Sequence, residues 1–200
     1  MLAVLSNHAA SLSKLDLADC ARTMNDNVAS KLIKCTNLVE LHLDYCKKIS
    51  KETLLELVTA MPRLVVLGVS ACAVTDSFLS AIFLDLTPEQ RLQRRALHTL
   101  IIARCKLLTE RCLDALCHAS QLHVLIMSSS HFITPAGLLR ICTALPSLKM
   151  LDVTWCPNLP KLPSKYAVST SEEASTNDIA AHELFTGQLT ALLPGAAIYY

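Results

Sequence analysis

The chain has 200 residues, of which 52% are hydrophobic, 18% are charged and 4% are aromatic, and 37 of them are leucine. A composition this apolar excludes a disordered tail and is sufficient for one sizeable core or one elongated array of repeats. Eighteen Lys and Arg residues against seventeen Asp and Glu residues give a formal charge of +1, which disfavours direct charge-driven binding to nucleic acid.

Six copies of one pattern, Leu-x-x-Leu-x-Leu-x-x-Cys, occupy residues 12 to 156. Their first residues are Leu12, Leu38, Leu64, Leu97, Leu122 and Leu148, at intervals of 26, 26, 33, 25 and 26 residues. Val, Ile or Met replaces the third leucine in four copies, and Ser130 replaces the cysteine in the fifth. A fixed period of this length indicates stacked repeats that each contact only their neighbours.

The second half of each unit carries the signals of a short helix. Small polar residues that suit a helix N-cap follow the ninth position of the first five units: Asn25 or Asp26, Ser50, Thr75, Thr109 and Thr134. Pro135 suits the first helical position of the fifth unit. Apolar residues then recur at helical spacing, as in Leu54, Leu57, Val58 and Met61. Each unit therefore predicts a short strand, a turn and a helix of about three turns.

Stacking of these units is required because neither element can bury its apolar residues alone. The stack buries a continuous core between one sheet of parallel strands and one layer of helices. Helices are wider than the spacing of strands, so the stack is expected to curve. We predict an α/β solenoid with parallel strands on its concave side and helices on its convex side. The face of the sheet turned away from the helices is called the concave face below.

The unit of 26 residues with cysteine at its ninth position, and with Cys35 three residues before Leu38, resembles the cysteine-containing subtype of leucine-rich repeat. That subtype is typical of F-box/leucine-rich-repeat proteins, and the resemblance covers residues 2 to 159. It implies the leucine-rich-repeat fold. It also implies one possible function, the substrate-recognition subunit of a cullin–RING ubiquitin ligase. The F-box that this function requires does not precede the repeats here, so it would be missing or supplied elsewhere.

We expect three parts along the chain. Residues 1–159 form the solenoid of about six repeats, beginning with a half repeat at 1–11 that a partner covers or that continues an upstream array. Residues 160–177 form a connector rich in Pro, Ser and Thr. Residues 178–200 form a helix and tail that cap the last repeat or dock onto a neighbouring protein.

An additional segment, Thr87–Arg95, lengthens the third unit and carries three arginines. It predicts a lengthened helix or an exposed loop. The alternative is a small basic contact site for an acidic partner.

The sequence predicts no cofactor, no metal site and no enzymatic activity. Cysteines that recur at the repeat period place single thiols in successive units, whereas zinc needs a compact tetrahedral set of ligands. The most metal-like group, Cys112, Cys117, His118 and His123, is poorly placed because its two cysteines lie about 140° apart around a helix. No motif for a catalytic serine, a phosphate loop, a dinucleotide or a zinc protease is present.

The candidate binding residues lie on the concave face. Alternation along a strand predicts that the third, fifth, seventh and eighth positions of each unit are exposed there. Those that we expect to contact a partner are Asp16, Asp19, Glu40, His42, Asp44, Tyr45, Val66, Ile101, Arg104, Val124, Ile126, Met150 and Trp155. The first third of this set is acidic, and the remainder is mostly apolar. We expect a groove for an apolar helix or tail whose basic residues meet the acidic end. The alternative is that the chain's own C-terminal segment covers the groove.

These observations favour a non-catalytic protein-interaction module, most simply a structural or adaptor subunit of a larger assembly. Membrane insertion is not expected, because the longest uncharged stretch, residues 115–139, contains many polar residues and a proline. The first residues lack the positive region of a secretory signal, and nine cysteines are an odd number. We therefore expect an intracellular protein, cytoplasmic or within a cytoskeletal or organellar assembly.

Overall fold

The computed structural model describes residues 9–85, 97–160 and 176–199, with side chains of the last helix described from Leu184 onward. Most of the predicted half repeat, all of the arginine-containing segment Thr87–Arg95 and nearly all of the predicted connector lie outside these residues.

In the described part of the chain, seven strands form one parallel sheet whose order follows the sequence. The strands are β1 (Lys14–Asp16), β2 (Glu40–His42), β3 (Val66–Gly68), β4 (Thr99–Ile101), β5 (Val124–Ile126), β6 (Met150–Asp152) and β7 (Ala197–Tyr199). The helices are α1 (Asp26–Ala29), α2 (Lys51–Ala60), α3 (Asp76–Phe83), α4 (Cys112–Cys117), α5 (Pro135–Ala144) and α6 (Thr176–Leu192), and a 3-10 helix (Ser30–Lys34) follows α1. This arrangement confirms the predicted α/β architecture.

The register of the sheet aligns equivalent positions of successive units. Leu15 pairs with Leu41, Leu41 with Leu67, and the same position continues in register through β6. The central leucines of β2 to β6 are 0% exposed, and their flanking residues are mostly half-buried. Because one side of each strand faces the helices and the other does not, the alternation predicted from sequence defines the two faces of the sheet.

Polar side chains cap the helices at four of the predicted positions. The side chains of Asn25, Ser50, Thr75 and Thr134 each accept a hydrogen bond from the backbone N–H three residues later. Each bond satisfies one of the donors that the first turn of a helix leaves unpaired. These four N-cap predictions are confirmed.

The N-cap prediction for Thr109 is wrong, because α4 begins later and its N-cap is Arg111. Asp76 of the preceding unit accepts hydrogen bonds from the Thr109 backbone N–H at 2.8 Å and from Thr109 Oγ1 at 2.6 Å. These bonds join Thr109 to the preceding unit. Sequence periodicity within one unit cannot detect them.

The eighth residue of every unit has an unusual backbone conformation. Positive φ angles of 54° to 64° occur at Asp19, Tyr45, Ala71, Arg104, Ser129 and Trp155. This left-handed region costs a residue other than glycine about 1–2 kcal/mol. Hydrogen bonds hold it in place, since the N–H of Tyr45 donates to the carbonyl of Ser70 at 2.7 Å, and Ala71 donates to Ala103 in the same way. The turn directs the ninth side chain into the core.

The cysteines at the ninth position form a ladder of hydrogen bonds between units. Cys72 Sγ donates to the carbonyl oxygen of Leu43 at 3.0 Å, and Cys46, Cys105 and Cys156 donate to the equivalent carbonyl of the preceding unit at 3.3–3.4 Å. Cysteine suits this position because its thiol is apolar enough for the core and still donates weakly.

Ser130 interrupts the ladder. It is 1% exposed, and its Oγ has no hydrogen-bond partner among the described residues. The acceptor equivalent to those of the cysteines is the carbonyl of Ile102, which the shorter side chain of serine does not reach. A buried hydroxyl without a partner costs about 1–3 kcal/mol.

We therefore expect Ser130→Cys to raise the free energy of unfolding by about 1 kcal/mol, because a thiol restores the bond to Ile102 and costs less to bury. Urea denaturation of the two proteins measures the difference. The exposed Ser120→Cys is the matched control and is expected to leave stability unchanged. A Ser130→Cys protein no more stable than the wild type would show that the hydroxyl is satisfied.

The C-terminal segment extends the solenoid by one further strand. Helix α6 begins at Thr176, two residues before the predicted start, and lies against α5 with Phe185, Leu189 and Leu193 buried. The sequence did not predict β7, which pairs in parallel with β6. The described part of this segment therefore lies beside the last repeat and continues the sheet.

Candidate binding face

Two rows of side chains cross the concave face, one from the first and one from the third residue of each strand. The register defines the first row as Lys14, Glu40, Val66, Thr99, Val124, Met150 and Ala197. It defines the second row as Asp16, His42, Gly68, Ile101, Ile126, Asp152 and Tyr199. Neighbouring members of a row are about 4.8 Å apart, and the rows are about 6.6 Å apart.

A contiguous apolar patch occupies the centre of this face. Val66, Val124 and Met150 contribute to the first row, and Ile101 and Ile126 lie side by side in the second. All five side chains are half-buried, since each is partly covered by its neighbours and open on its outer side. The structure thus brings together the five strand positions at which the sequence predicted apolar contacts, on four adjacent strands.

Aromatic residues lie toward the two ends of the patch. Trp155 is 85% exposed and Tyr199 is 49% exposed, whereas Phe78, Phe83 and Phe132 are buried in the core. Tyr45 is half-buried near the other end of the sheet. Exposed aromatic side chains of this size are more typical of protein interfaces than of free surface.

The acidic end of the face has more internal pairing than the sequence indicated. Glu40 Oε1 lies 2.6 Å from Lys14 Nζ, and Asp16 accepts a hydrogen bond from the backbone N–H of Ala18 at 2.9 Å. Asp44 accepts one from the backbone N–H of Ser70 at 2.8 Å. Asp19 is exposed.

Gly68 provides the space for one polar cluster on this face. A Cβ atom at this position would lie 2.6 Å from His42 Nδ1 and would also collide with the carboxylate of Asp44. The His42 ring and the Asp44 carboxylate, 3.6 Å apart, thus cover a glycine that has ordinary strand geometry. Alternation along β3 cannot indicate this role of Gly68, because it depends on side chains from the neighbouring unit.

Four buried cysteine side chains are unsuited to nucleophilic chemistry. Burial raises the pKa of Cys72 and Cys142 to about 12 and the pKa of Cys46 and Cys105 to about 11. Thiols with such pKa values stay protonated at neutral pH and are poor nucleophiles and poor metal ligands. Among residues 9–85, 97–160 and 176–199, no three His, Cys, Asp or Glu side chains are grouped so as to hold a metal ion.

A second concavity lies on the convex side, between the 3-10 helix and α2. Its volume is about 610 Å³, and Ile33, Leu55, Glu52 and Glu56 are among the residues that line it. Its polar lining side chains are Glu52, Glu56 and Thr59. Within the described ranges, no helix has both the length and the apolar character needed to cross a membrane.

No protein-family model matches this sequence, and no curated protein matches it significantly. Solved structures do resemble the fold. The C-terminal domain of tropomodulin from Caenorhabditis elegans superposes with a TM-score of 0.54 at 18% identity, over 73% of this chain and 89% of that domain. A leucine-rich-repeat protein from Leptospira interrogans superposes with a TM-score of 0.50 at 18% identity, over 98% of this chain and 39% of that protein.

With the parallel sheet and the aligned repeats, these similarities establish the class of fold, which is the α/β leucine-rich-repeat solenoid predicted from the sequence. This chain spans well under half the length of the Leptospira protein that it resembles.

Proposed function

We propose that this protein is a non-catalytic interaction module that binds a segment of a partner protein across its concave face. The observation that carries the proposal is the apolar patch on strands β3 to β6, which is continuous and open on one side. The buried core lies on the other side of the sheet, so the fold does not require the residues of the patch to be apolar. Apolar side chains at positions that could be polar are characteristic of a surface that a partner covers.

The dimensions of the patch suit a short helix or an extended tail. Four strands span about 14 Å, which corresponds to roughly ten residues of an α-helix. The distance of about 4.8 Å between neighbouring strands is close to the spacing of about 5–6 Å between side chains one helical turn apart. Basic residues of the partner would lie toward Asp16, Asp19, Glu40 and Asp44, of which Asp16 and Asp19 are exposed.

We assign the protein to a larger assembly as a structural or adaptor subunit. Its exposed aromatic residues and open face support a lasting association with another protein. The alternative assignment, substrate recognition for a cullin–RING ubiquitin ligase, has its support in the cysteine-containing repeat pattern.

Affinity purification of the tagged protein from its native cells, read out by mass spectrometry, distinguishes the two assignments. A fixed set of subunits in near-stoichiometric amounts is expected from a structural component. Cullin and F-box adaptor proteins with many weak companions would instead favour the ligase assignment. Recovery of neither set of proteins would contradict both assignments.

We expect Ile126→Asp to abolish partner capture in that experiment, because it places a charge at the centre of the apolar patch. The new carboxylate also lies opposite Asp152, and this repulsion costs roughly 0.2–1 kcal/mol of stability, too little to unfold the protein. A melting curve checks this. Leu184→Asp, at a leucine of α6 that is 68% exposed, is the matched control and is expected to retain the partner. Unchanged capture by Ile126→Asp would refute the groove.

A further inference from the structure

The C-terminal end of the concave face differs in chemistry from the rest of it. The register of β6 and β7 places Asp152 directly beside Tyr199, and β5 places Ile126 on the other side of Asp152. Trp155 follows three residues after Asp152, at the left-handed turn that ends this unit. One carboxylate therefore lies between an isoleucine and an exposed tyrosine on adjacent strands, with an exposed tryptophan in the turn that follows its own strand.

The Asp152 carboxylate is positioned by its own turn and remains partly available. Its Oδ1 accepts hydrogen bonds from the Thr154 backbone N–H at 2.9 Å and from Thr154 Oγ1 at 2.7 Å. Both bonds go to the same oxygen, and Oδ2 has no partner among the described residues. Asp152 is half-buried, so its charge is less well solvated than that of a fully exposed carboxylate.

No described neighbour supplies a positive charge to this carboxylate. The concave-face residues of β5 are Val124 and Ile126, and those of β7 are Ala197 and Tyr199. Lys149 precedes β6 at the opposite end of the strand, and in the described residues it forms no ion pair. At the acidic end of the face, on β1 and β2, Lys14 pairs with Glu40, whereas Asp152 has no such partner among the described residues.

We propose that Asp152, Trp155 and Tyr199 form a receptor for an arginine side chain of the bound partner segment. This inference rests on the concave face being the binding surface. A guanidinium can donate to Asp152 Oδ2 while its plane lies against the indole ring of Trp155. The aliphatic part of the arginine side chain then covers Ile126, and the phenol ring of Tyr199 closes the other side.

Arginine suits this corner better than lysine or an apolar residue. Its planar, weakly hydrated cation stacks on aromatic rings, whereas the ammonium group of lysine is compact and strongly hydrated. An apolar residue would bury the Asp152 carboxylate without a partner, which is unfavourable. The proposal therefore adds a basic residue at this end of the partner segment, in addition to those expected at the acidic end.

Selection of short random peptides displayed on phage tests the proposal without knowledge of the natural partner. The wild type, Ile126→Asp and Asp152→Asn serve as targets. Asparagine keeps the oxygen that accepts from Thr154 and removes only the charge, so the fold is expected to be retained. We expect wild-type selections to enrich apolar peptides that contain arginine, and Asp152→Asn selections to lose the arginine but keep the apolar residues.

The possible failures are distinguishable. If every peptide selected by the wild type also binds to Ile126→Asp, the groove itself is refuted. If apolar peptides depend on Ile126 but arginine is equally frequent with wild type and with Asp152→Asn, the groove stands and the arginine receptor is refuted. A selected peptide resynthesised with citrulline, the neutral analogue of arginine, is expected to bind about tenfold more weakly to the wild type. Equal affinity of the two peptides would also overturn the receptor.

Fluorescence provides an independent readout, because Trp155 is the single tryptophan of the chain. Binding of the arginine peptide is expected to change its emission, and the citrulline peptide is expected to change it less. In Asp152→Asn, the arginine and citrulline peptides are expected to change the emission equally. An emission spectrum that the arginine peptide leaves unaltered would place the peptide elsewhere and refute the receptor.

Discussion

Raising the pH from 9 to 11 is expected to unfold this protein. Cys46, Cys72, Cys105 and Cys142 are at most 6% exposed, and burial raises their pKa values from about 9.0 to about 11–12. Burial likewise raises the pKa of Cys112. In the unfolded chain the same thiols ionise near their ordinary pKa.

The direction of the effect follows from proton binding. A thiol whose pKa is higher in the folded state keeps its proton there while the unfolded chain has already lost it, so rising pH favours unfolding. The stability is fully present below pH 9 and decreases up to the folded pKa values of about 11–12. Each such cysteine contributes about 1.4 kcal/mol per pH unit within that range. Four of them together remove about 6 kcal/mol per pH unit, comparable to the whole stability of many domains.

Urea denaturation at a series of pH values measures this loss. Cys142→Ala removes one titrating thiol and is expected to reduce the slope of stability against pH by about 1.4 kcal/mol per unit, whatever its effect at neutral pH. Cys20→Ala, at the half-exposed cysteine of the first unit, is the matched control. Identical slopes for wild type and Cys142→Ala would show that the buried Cys142 thiol does not contribute to the loss of stability at high pH.

The second large effect is expected at the centre of the sheet. Leu67 is 0% exposed on β3 and is in register with Leu41 and Leu100, which are also fully buried. Leu67→Ala removes three buried carbons and leaves a cavity between units. We expect it to lower the free energy of unfolding by about 2–5 kcal/mol in urea denaturation.

Val66→Ala is the control for that experiment. Val66 is the adjacent residue of β3, but it is half-buried on the concave face. Its truncation is expected to cost less than about 1 kcal/mol. Equal losses at Leu67 and Val66 would mean that β3 does not separate a core side from an open side, and the assignment of the binding face would fail with it.

Much of the concave face can be predicted from the sequence. The pattern Leu-x-x-Leu-x-Leu-x-x-Cys assigns Val66, Ile101, Val124, Ile126 and Met150 to one face by alternation alone, and the register places them on adjacent strands. Their role in binding stays a prediction. Which acidic residues remain free to bind a partner could not be predicted, because the Lys14–Glu40 pair and the Asp44–Ser70 bond each join different units.

The sequence by itself determined the repeating unit, the helix caps within a unit and the rows of buried leucines. These depend on residues a few positions apart, and the periods of strand and helix express them directly. Tertiary structure alone decided the features that need contact between units. Thr109 is bonded to Asp76 of the preceding unit, carbonyls of the next unit accept from five of the six left-handed residues, and β7 adds to the sheet. Each of these contacts is a hydrogen bond between residues 24 or more positions apart, which no local pattern contains.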